Sequence, residues 1–164
     1  MSTIVRQWNA RSVVAHHPFL ERHISTSATI SDVICIQETF LHHQLRFAME
    51  NYNIKRLDRP AGGHGRIVTL IGTGISYSVL NNPSNQIISF LITLITGTSS
   101  IDNLYILQWN VIGFMTHSAE LRNHIARKSG IYDIICIHET FLKPNVKFNI
   151  AGYVTLRRDR LDAG

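Results

Sequence analysis

The 164-residue sequence predicts an α/β fold made of two related βαβ-type half-domains. Apolar residues form 45% of the chain and charged residues 16%, which is enough apolar material for a core and too little charge for a disordered chain. Short apolar segments of strand length alternate with segments of helical periodicity. A stretch of 60 residues also returns later in the chain as a similar sequence, so we expect the same order of elements in each copy.

The repeated stretch has a constant spacing of 101 residues. The motif Gln7-Trp8-Asn9 returns as Gln108-Trp109-Asn110. Aligned without a gap, residues 4–63 and 105–164 share 22 identities in 60 positions. We interpret residues 1–104 and 105–164 as two homologous partial copies of one half-domain, because this period is too long for a solenoid array. The second copy is shorter and has nothing equivalent to residues 64–104.

Each copy is predicted to open with a strand, an amphipathic helix and a second strand. The helix carries apolar residues four positions apart, such as Leu20 and Ile24. The second strand is a continuous apolar run, which indicates a strand covered on both faces. Strand, helix and strand over about 35 residues form a βαβ unit with parallel strands. The predicted ranges are 4–9, 16–27 and 33–37 in the first copy and 105–110, 117–128 and 134–138 in the second.

The remaining segments are predicted to be β-structure and loops. Residues 53–56 form a candidate third strand, matched by residues 154–157 in the second copy. Turn-forming residues between apolar runs predict two hairpins in the first copy. The first pairs residues 66–70 with 75–80, and the second pairs residues 87–94 with 104–107.

The composition excludes several classes of protein. The longest apolar stretch, residues 87–95, is far shorter than the ~20 residues of a membrane helix. The N-terminus has no apolar core like that of a signal peptide, so we expect an intracellular protein, cytoplasmic or nuclear, with no membrane partner. Two cysteines cannot form a disulfide framework, and there is no CxxC pair for zinc. A net charge of +5 is compatible with a polyanionic partner.

Two positions in each copy combine into a candidate metal site. Asn9 and Glu38 follow strands that we expect to be neighbours, and Asn110 and Glu139 are their equivalents. A carboxylate directly after a buried strand is poorly solvated unless a cation or hydrogen bonds compensate its charge. Hard oxygen ligands of this kind suit Mg²⁺ or Mn²⁺. The alternative is that each glutamate only caps the turn after its strand.

Other polar positions carry weaker signals. Cys35 and Cys136 occupy the same strand position in the two copies and are expected in the core. His138 replaces Gln37 beside the glutamate, and we expect it to be a tolerated polar neighbour. Two basic clusters could meet phosphates or simply be solvated, namely Arg56 and Arg59 in the first copy and Arg157, Arg158 and Arg160 in the second.

In combination, these motifs resemble a known family of metal-dependent enzymes. Their order is Gln-Trp-Asn, Asp-[Val/Ile]-Ile-Cys-Ile-x-Glu-Thr-Phe-Leu, Asn-Tyr or Gly-Tyr, and Arg-x-Asp-Arg followed by glycine. The set resembles the endonuclease/exonuclease/phosphatase family, and in particular the N-terminal endonuclease domain of non-LTR retrotransposons of the Jockey and RTE types. Residues 4–104 resemble the first half of such a domain, and residues 105–164 resemble a shorter piece of the same half.

The resemblance implies a phosphodiesterase that uses a divalent metal, usually Mg²⁺. Asn9 and Asn110 match the family's asparagine beside the metal and the scissile phosphate, and Glu38 and Glu139 match its metal-binding glutamate. The family fold is a two-sheet sandwich with outer helices. We therefore expect the sheets of the two copies to pack together through Ile34, Ile36, Ile135 and Ile137. One continuous sheet through residues 104–110 is the competing arrangement, since that strand belongs to both copies.

Part of the family's site has no match in this chain. The resemblance also calls for an Asp-x-Asn motif and a C-terminal Asp-His pair, and the sequence contains neither. We therefore expect a partial endonuclease-like domain with little or no activity alone, holding Mg²⁺ or Mn²⁺ weakly and meeting DNA through its basic clusters. The alternative is a non-catalytic nucleic-acid-binding or structural remnant. The sequence does not identify any protein partner.

Overall fold

A computed structural model describes residues 3–27, 29–58, 66–80, 87–95, 101–111, 113–127, 131–138, 140–143 and 145–157. Within these ranges the chain forms eight strands and two helices. In chain order they are β1 (Val5–Asn9), α1 (His17–Thr26), β2 (Val33–Gln37), β3 (Tyr52–Leu57), β4 (Ile67–Gly72), β5 (Ser76–Leu80), β6 (Ile87–Ile95), β7 (Ile101–Asn110), α2 (Phe114–Arg127) and β8 (Ile134–His138).

The strands form two four-stranded sheets with the orders β1-β2-β4-β3 and β5-β6-β7-β8. We call them the first and the second sheet. The pairs β1–β2 and β7–β8 are parallel, as the βαβ pattern predicts, and the other pairs are antiparallel. The sheets pack face to face through an apolar core. The α/β class and the two-sheet sandwich with outer helices are therefore confirmed, and a single continuous sheet is excluded.

The face that each strand turns to the other sheet differs from the prediction. The core between the sheets contains Val33 and Cys35 of β2, with Ile106 and Cys136 of the second sheet. The four isoleucines expected there lie on the opposite faces, where Ile34 and Ile36 pack near Leu20 of α1, and Ile135 and Ile137 pack near Leu121 of α2. Adjacent side chains of a strand point to opposite faces. Because β2 is apolar at both kinds of position, its sequence does not indicate which set meets the helix.

The two helices cover the outer faces of the sheets. In α1, Leu20 is buried and Ile24 packs beside it, and Pro18 lies in the first turn, where its missing N–H has no intrahelical acceptor to lose. In α2, Leu121 and Ile125 make the equivalent contacts. The helix α2 begins three residues before the predicted start. In the described part of the chain, no helix has the length and apolar character needed to span a bilayer.

One predicted hairpin forms and the other does not. The strands β6 and β7 pair antiparallel from Ile87↔Trp109 to Ile95↔Ile101, as predicted. In contrast, β4 belongs to the first sheet and β5 to the second, so the turn at Gly72 carries the chain from one sheet to the other. Residues 67–71 of β4 are all buried. Such a strand needs a neighbour on each edge, and β2 and β3 already occupy both edges.

Of the two segments predicted to form a third strand, only the first is a strand in the described part of the chain. The predicted segment 53–56 lies within β3, which pairs with β4. The equivalent segment 154–157 is irregular, and the side chains of Val154 and Leu156 are 91% and 94% exposed. Among the described residues, the second copy provides no strand in the place of β4. Without that partner, the segment has no ladder to join.

Several contacts recur at positions 101 residues apart. Asp32 accepts a hydrogen bond from the backbone N–H of Ile4 (2.7 Å), and Asp133 accepts one from Tyr105 (2.8 Å). The hydroxyl of Tyr52 donates to the carbonyl of Ser31, and that of Tyr153 donates to the carbonyl of Tyr132, both over 2.8 Å. The left-handed backbone of Phe40 (φ 52°) is matched at Phe141 (φ 49°). The equivalent segments therefore adopt the same local structure.

These paired contacts allow a matched test of stability. Tyr52 is buried, whereas Tyr153 is half-buried. We expect Tyr52→Phe to lower the free energy of unfolding by about 1–2 kcal/mol, because it leaves a buried carbonyl without its donor. Tyr153→Phe should cost only a few tenths of a kcal/mol, since water can replace the hydroxyl. Urea unfolding of both variants measures the difference, and an equal or larger cost for Tyr153→Phe would contradict the assigned burial.

Candidate functional site

The carboxyl ends of β1, β2, β7 and β8 lie along one side of the sandwich, which we call the carboxyl rim. Gln108, near the end of β7, donates through Nε2 to the carbonyl of Ile36, near the end of β2 (3.1 Å). Gln7 of β1 lies 2.9 Å through Nε2 from Nδ1 of His138, the last residue of β8. These contacts link the two sheets. They also place polar side chains close together at the carboxyl ends of β1, β2, β7 and β8.

Asn9 and Glu38 meet at this rim. Asn9 Nδ2 donates to Glu38 Oε1 over 2.9 Å, and Asn9 Oδ1 accepts from the backbone N–H of Arg11 over 3.2 Å. The second bond fixes the amide so that its NH₂ end faces the carboxylate. Asn9 therefore orients the Glu38 side chain, with its own oxygen turned to the backbone. Both side chains are half-buried.

The backbone around Glu38 explains how its side chain reaches Asn9. Glu38 has a φ of 49°, a left-handed conformation that is uncommon for a residue other than glycine. Its carbonyl accepts from the N–H of Ser12 (2.7 Å), and the next residue, the buried Thr39, bonds to both Val13 and Arg66 through its backbone. These bonds hold the loops after β1 and β2 together. They redirect the chain at the end of β2 and bring the carboxylate back toward β1.

The second predicted pair is described only in part. Asn110 is buried at the end of β7, in the position equivalent to Asn9. Glu139 lies outside the described residues, as do Arg59, Arg158 and Arg160. A pairing of Asn110 with Glu139, and a metal role for Glu139, therefore stay predictions.

His138 is a buried histidine whose cross-sheet contact the sequence did not predict. Its side chain is 1% exposed, and burial lowers its pKa from 6.5 to about 3, so it is neutral at physiological pH. With Nδ1 accepting from Gln7, the ring proton lies on Nε2, which has no hydrogen-bond partner among the described residues. Gln37 Oε1, also at the carboxyl rim, is a second buried atom without such a partner. The only indication of this role in the sequence is that His138 stands at the position equivalent to Gln37.

The described arginines of the basic clusters are engaged with loops. Arg56 donates to the carbonyls of Leu45 and His42 and to Asp58. Arg157 makes the equivalent bonds, to the carbonyls of Leu142, Lys143 and Val146. Much of their donor capacity therefore holds the segments that follow β2 and β8.

The described residues contain few donors for a metal ion. No group of three or more His, Cys, Asp or Glu side chains lies close enough together in the described ranges to hold one. Glu38 supplies a carboxylate, which suits a hard cation such as Mg²⁺ but binds it weakly when it acts alone.

No protein-family model and no curated protein matches this sequence. Solved structures do match the fold. One is a 3′ phosphatase, NExo, from Neisseria, bound to a product DNA hairpin, with a TM-score of 0.55 and 10% identity, covering 83% of this chain and 56% of that one. Another is the 3′–5′ exonuclease NExo from Neisseria meningitidis, with a TM-score of 0.52 and 11% identity, covering 80% of this chain and 54% of that one.

The chain therefore shares its overall fold with these two structures, a 3′ phosphatase and a 3′–5′ exonuclease. At this level of identity, the likeness shows the fold alone. The chain also matches only a little more than half the length of these two structures. Activity, metal and substrate therefore have to be argued from the site itself.

The buried neutral state of His138 predicts a specific response to acid. Between the unfolded pKa of about 6.5 and the folded pKa of about 3, the unfolded chain binds a proton that the folded chain does not. The free energy of unfolding should therefore decrease as the pH is lowered through this window. The contribution of this residue is up to about 1.4 kcal/mol per pH unit. His138→Gln, the residue present in the first copy, should lose this slope in urea unfolding measured at pH 7, 6 and 5. The exposed His16→Gln is the matched control, and a slope unchanged in His138→Gln would contradict the assignment.

Proposed function

We propose that this chain is a partial metal-dependent phosphodiesterase of the endonuclease type, with little or no cleavage activity alone. The observation that carries the proposal is the contact of Asn9 with Glu38, at the carboxyl ends of two parallel strands in a nuclease-like sandwich. Ligand sites in α/β sheets gather at such ends. The sequence resemblance to the endonuclease domain of Jockey- and RTE-type retrotransposons supports a retrotransposon origin.

In this proposal, Glu38 is the metal ligand and Asn9 is its positioning residue. A bound Mg²⁺ or Mn²⁺ would polarise a phosphoryl oxygen. The Asn9 amide holds one carboxylate oxygen at 2.9 Å, which keeps the side chain at the carboxyl rim when the ion is absent. Glu139 and Asn110 are proposed to act in the same way in the second copy.

We also propose that the chain consists of two partial copies, residues 1–104 and 105–164, that arose by duplication. The 22 identities in 60 aligned positions support this origin. The matched hydrogen bonds of Asp32 and Asp133, and of Tyr52 and Tyr153, agree with it, because these identical residues make equivalent contacts.

We expect low activity because a duplication repeats the same site residues and does not add the missing ones. Two copies repeat one asparagine and one glutamate, whereas an Asp-x-Asn motif and an Asp-His pair would act at other atoms of the phosphate. Loss of one preorganised electrostatic donor costs about 2.7–4 kcal/mol of transition-state stabilisation. Losing two would therefore slow the reaction by a factor of some thousands or more.

DNA is the proposed partner. A net charge of +5 favours a polyanion, and one of the structural neighbours is bound to a DNA hairpin. A DNA-directed role would place the chain in the cytoplasm or the nucleus.

The alternative is a non-catalytic nucleic-acid-binding or structural remnant. It is favoured by the lack, among the described residues, of any group of three or more His, Cys, Asp or Glu side chains that could hold a metal ion, and by the loop contacts of Arg56 and Arg157. The two functions differ in one respect: a remnant that binds DNA would do so without Mg²⁺, and with no dependence on Glu38.

A nicking assay on supercoiled DNA tests the activity directly. We expect cleavage in Mg²⁺ to be at least some thousands-fold slower than that of a complete enzyme of this fold assayed beside it. Any residual cleavage should disappear in Glu38→Ala combined with Glu139→Ala, and persist in Glu120→Ala, which removes an exposed glutamate of α2. Turnover comparable to the complete enzyme, and abolished by Glu38→Ala, would refute the proposed incompleteness.

Mn²⁺ binding, followed by electron paramagnetic resonance, tests the metal site separately. We expect dissociation constants in the millimolar range or weaker, because one carboxylate leaves most of the hydration shell in place. Asn9→Asp should tighten binding several-fold, since it adds a second carboxylate at the contact distance of Glu38. The exposed Glu21→Gln is the control. Tight binding that survives Glu38→Ala together with Glu139→Ala would remove both glutamates from the site.

A further inference from the structure

The two cysteines of the chain face each other across the sandwich. Cys35 lies in the middle of β2 and Cys136 in the middle of β8, and both belong to the core between the sheets. Both thiols are free, with side chains 0% and 5% exposed. They occupy equivalent positions, 101 residues apart, so the sandwich brings together one residue type from each copy.

Hydrogen bonds between the two sheets flank the cysteine pair and keep Cys35 and Cys136 opposite each other. Gln7 and Thr69 are the register neighbours of Cys35 on β1 and β4. Gln7 reaches His138 of β8 over 2.9 Å, and Thr69 donates to Gln108, the register neighbour of Cys136, over 2.5 Å. The sheets are thus bridged by hydrogen bonds on either side of the cysteine pair. This bridging limits how far the two thiols can move apart.

The thiols also act on each other. The neighbouring Cys136 thiol raises the pKa of Cys35, in the same direction as its burial, and the Cys35 thiol lowers the pKa of Cys136. Cys136 is therefore the more readily ionised of the two. It also lies on β8, which pairs only with β7 among the described strands, so it is the thiol nearer to an open edge.

We infer that Cys35 and Cys136 form a cross-sheet disulfide when the protein meets a peroxide. The inference is independent of the proposed function. The Cys136 thiolate attacks one oxygen of hydrogen peroxide and the O–O bond breaks. Cys136 becomes a sulfenic acid. The released hydroxide takes up a proton and becomes water. The Cys35 sulfur then attacks the Cys136 sulfur, the S–S bond forms, and the sulfenic hydroxyl leaves as a second water with the Cys35 proton. Two thiols are oxidised and one peroxide is reduced.

The disulfide would close a loop of about 100 residues and so restrict the unfolded chain strongly. The expected consequence is a rise in the urea midpoint of roughly 1–3 M, given the usual dependence of stability on urea. A thiol reductant should reverse the rise. The bond would add a covalent link between β2 and β8, the strands that carry the two cysteines in the two sheets.

The test uses the full chain, folded and reduced, treated with equimolar hydrogen peroxide in native buffer. The intact mass should fall by two hydrogen atoms, a non-reducing peptide map should show Cys35 linked to Cys136, and the urea midpoint should rise. Cys35→Ser should instead gain oxygen at Cys136, with no rise in midpoint. The inference is overturned if the wild-type chain keeps both thiols, gains oxygen atoms, or becomes linked between molecules. The wild-type mass and peptide map decide the result even if the variant does not fold.

Discussion

The strand β2 is apolar on both of its faces, and most of the architecture follows from the need to cover both. Val33 and Cys35 are buried against the second sheet, and Ile34 and Ile36 are buried beneath α1. Each large aliphatic side chain removed from water contributes about 1.5–3 kcal/mol. A strand of this kind must lie inside a sheet, with a helix on one side and a second layer on the other. That requirement also places the end of β2, with Glu38, at the rim between the layers.

Elements with a clear periodicity could be predicted from the sequence, and elements defined by their neighbours could not. The parallel pairs, both helices and the hairpin of β6 with β7 follow from local pattern. The inward face of β2 was mispredicted because both faces are equally apolar. The pairing of β5 was mispredicted because a short turn at Gly72 permits either a hairpin or a passage between sheets, and only the burial of β4 on all sides decides between them.

The same distinction applies to the candidate site. The proximity of Asn9 and Glu38 follows from two parallel strands ending at one edge, which the βαβ pattern predicts. The orientation of the Asn9 amide depends on the left-handed turn at Arg11, and the neutral state of His138 depends on burial by the opposite sheet. Neither has a signature in the local sequence, because the first depends on the conformation of the loop after β1 and the second on contact with the other sheet.

Among the described strands, the edge position of β8 has a consequence for how the protein behaves in concentrated solution. Among the described strands, β8 pairs on one side only, and its sequence, Ile134–His138, contains no charged residue or proline that would discourage another strand from adding to it. Val154 and Leu156 stand almost fully exposed in the same copy. An open strand edge in the same copy as exposed aliphatic side chains favours edge-to-edge aggregation. Purification yield and shelf life would then be limited by self-association of folded molecules, well before the fold itself is lost.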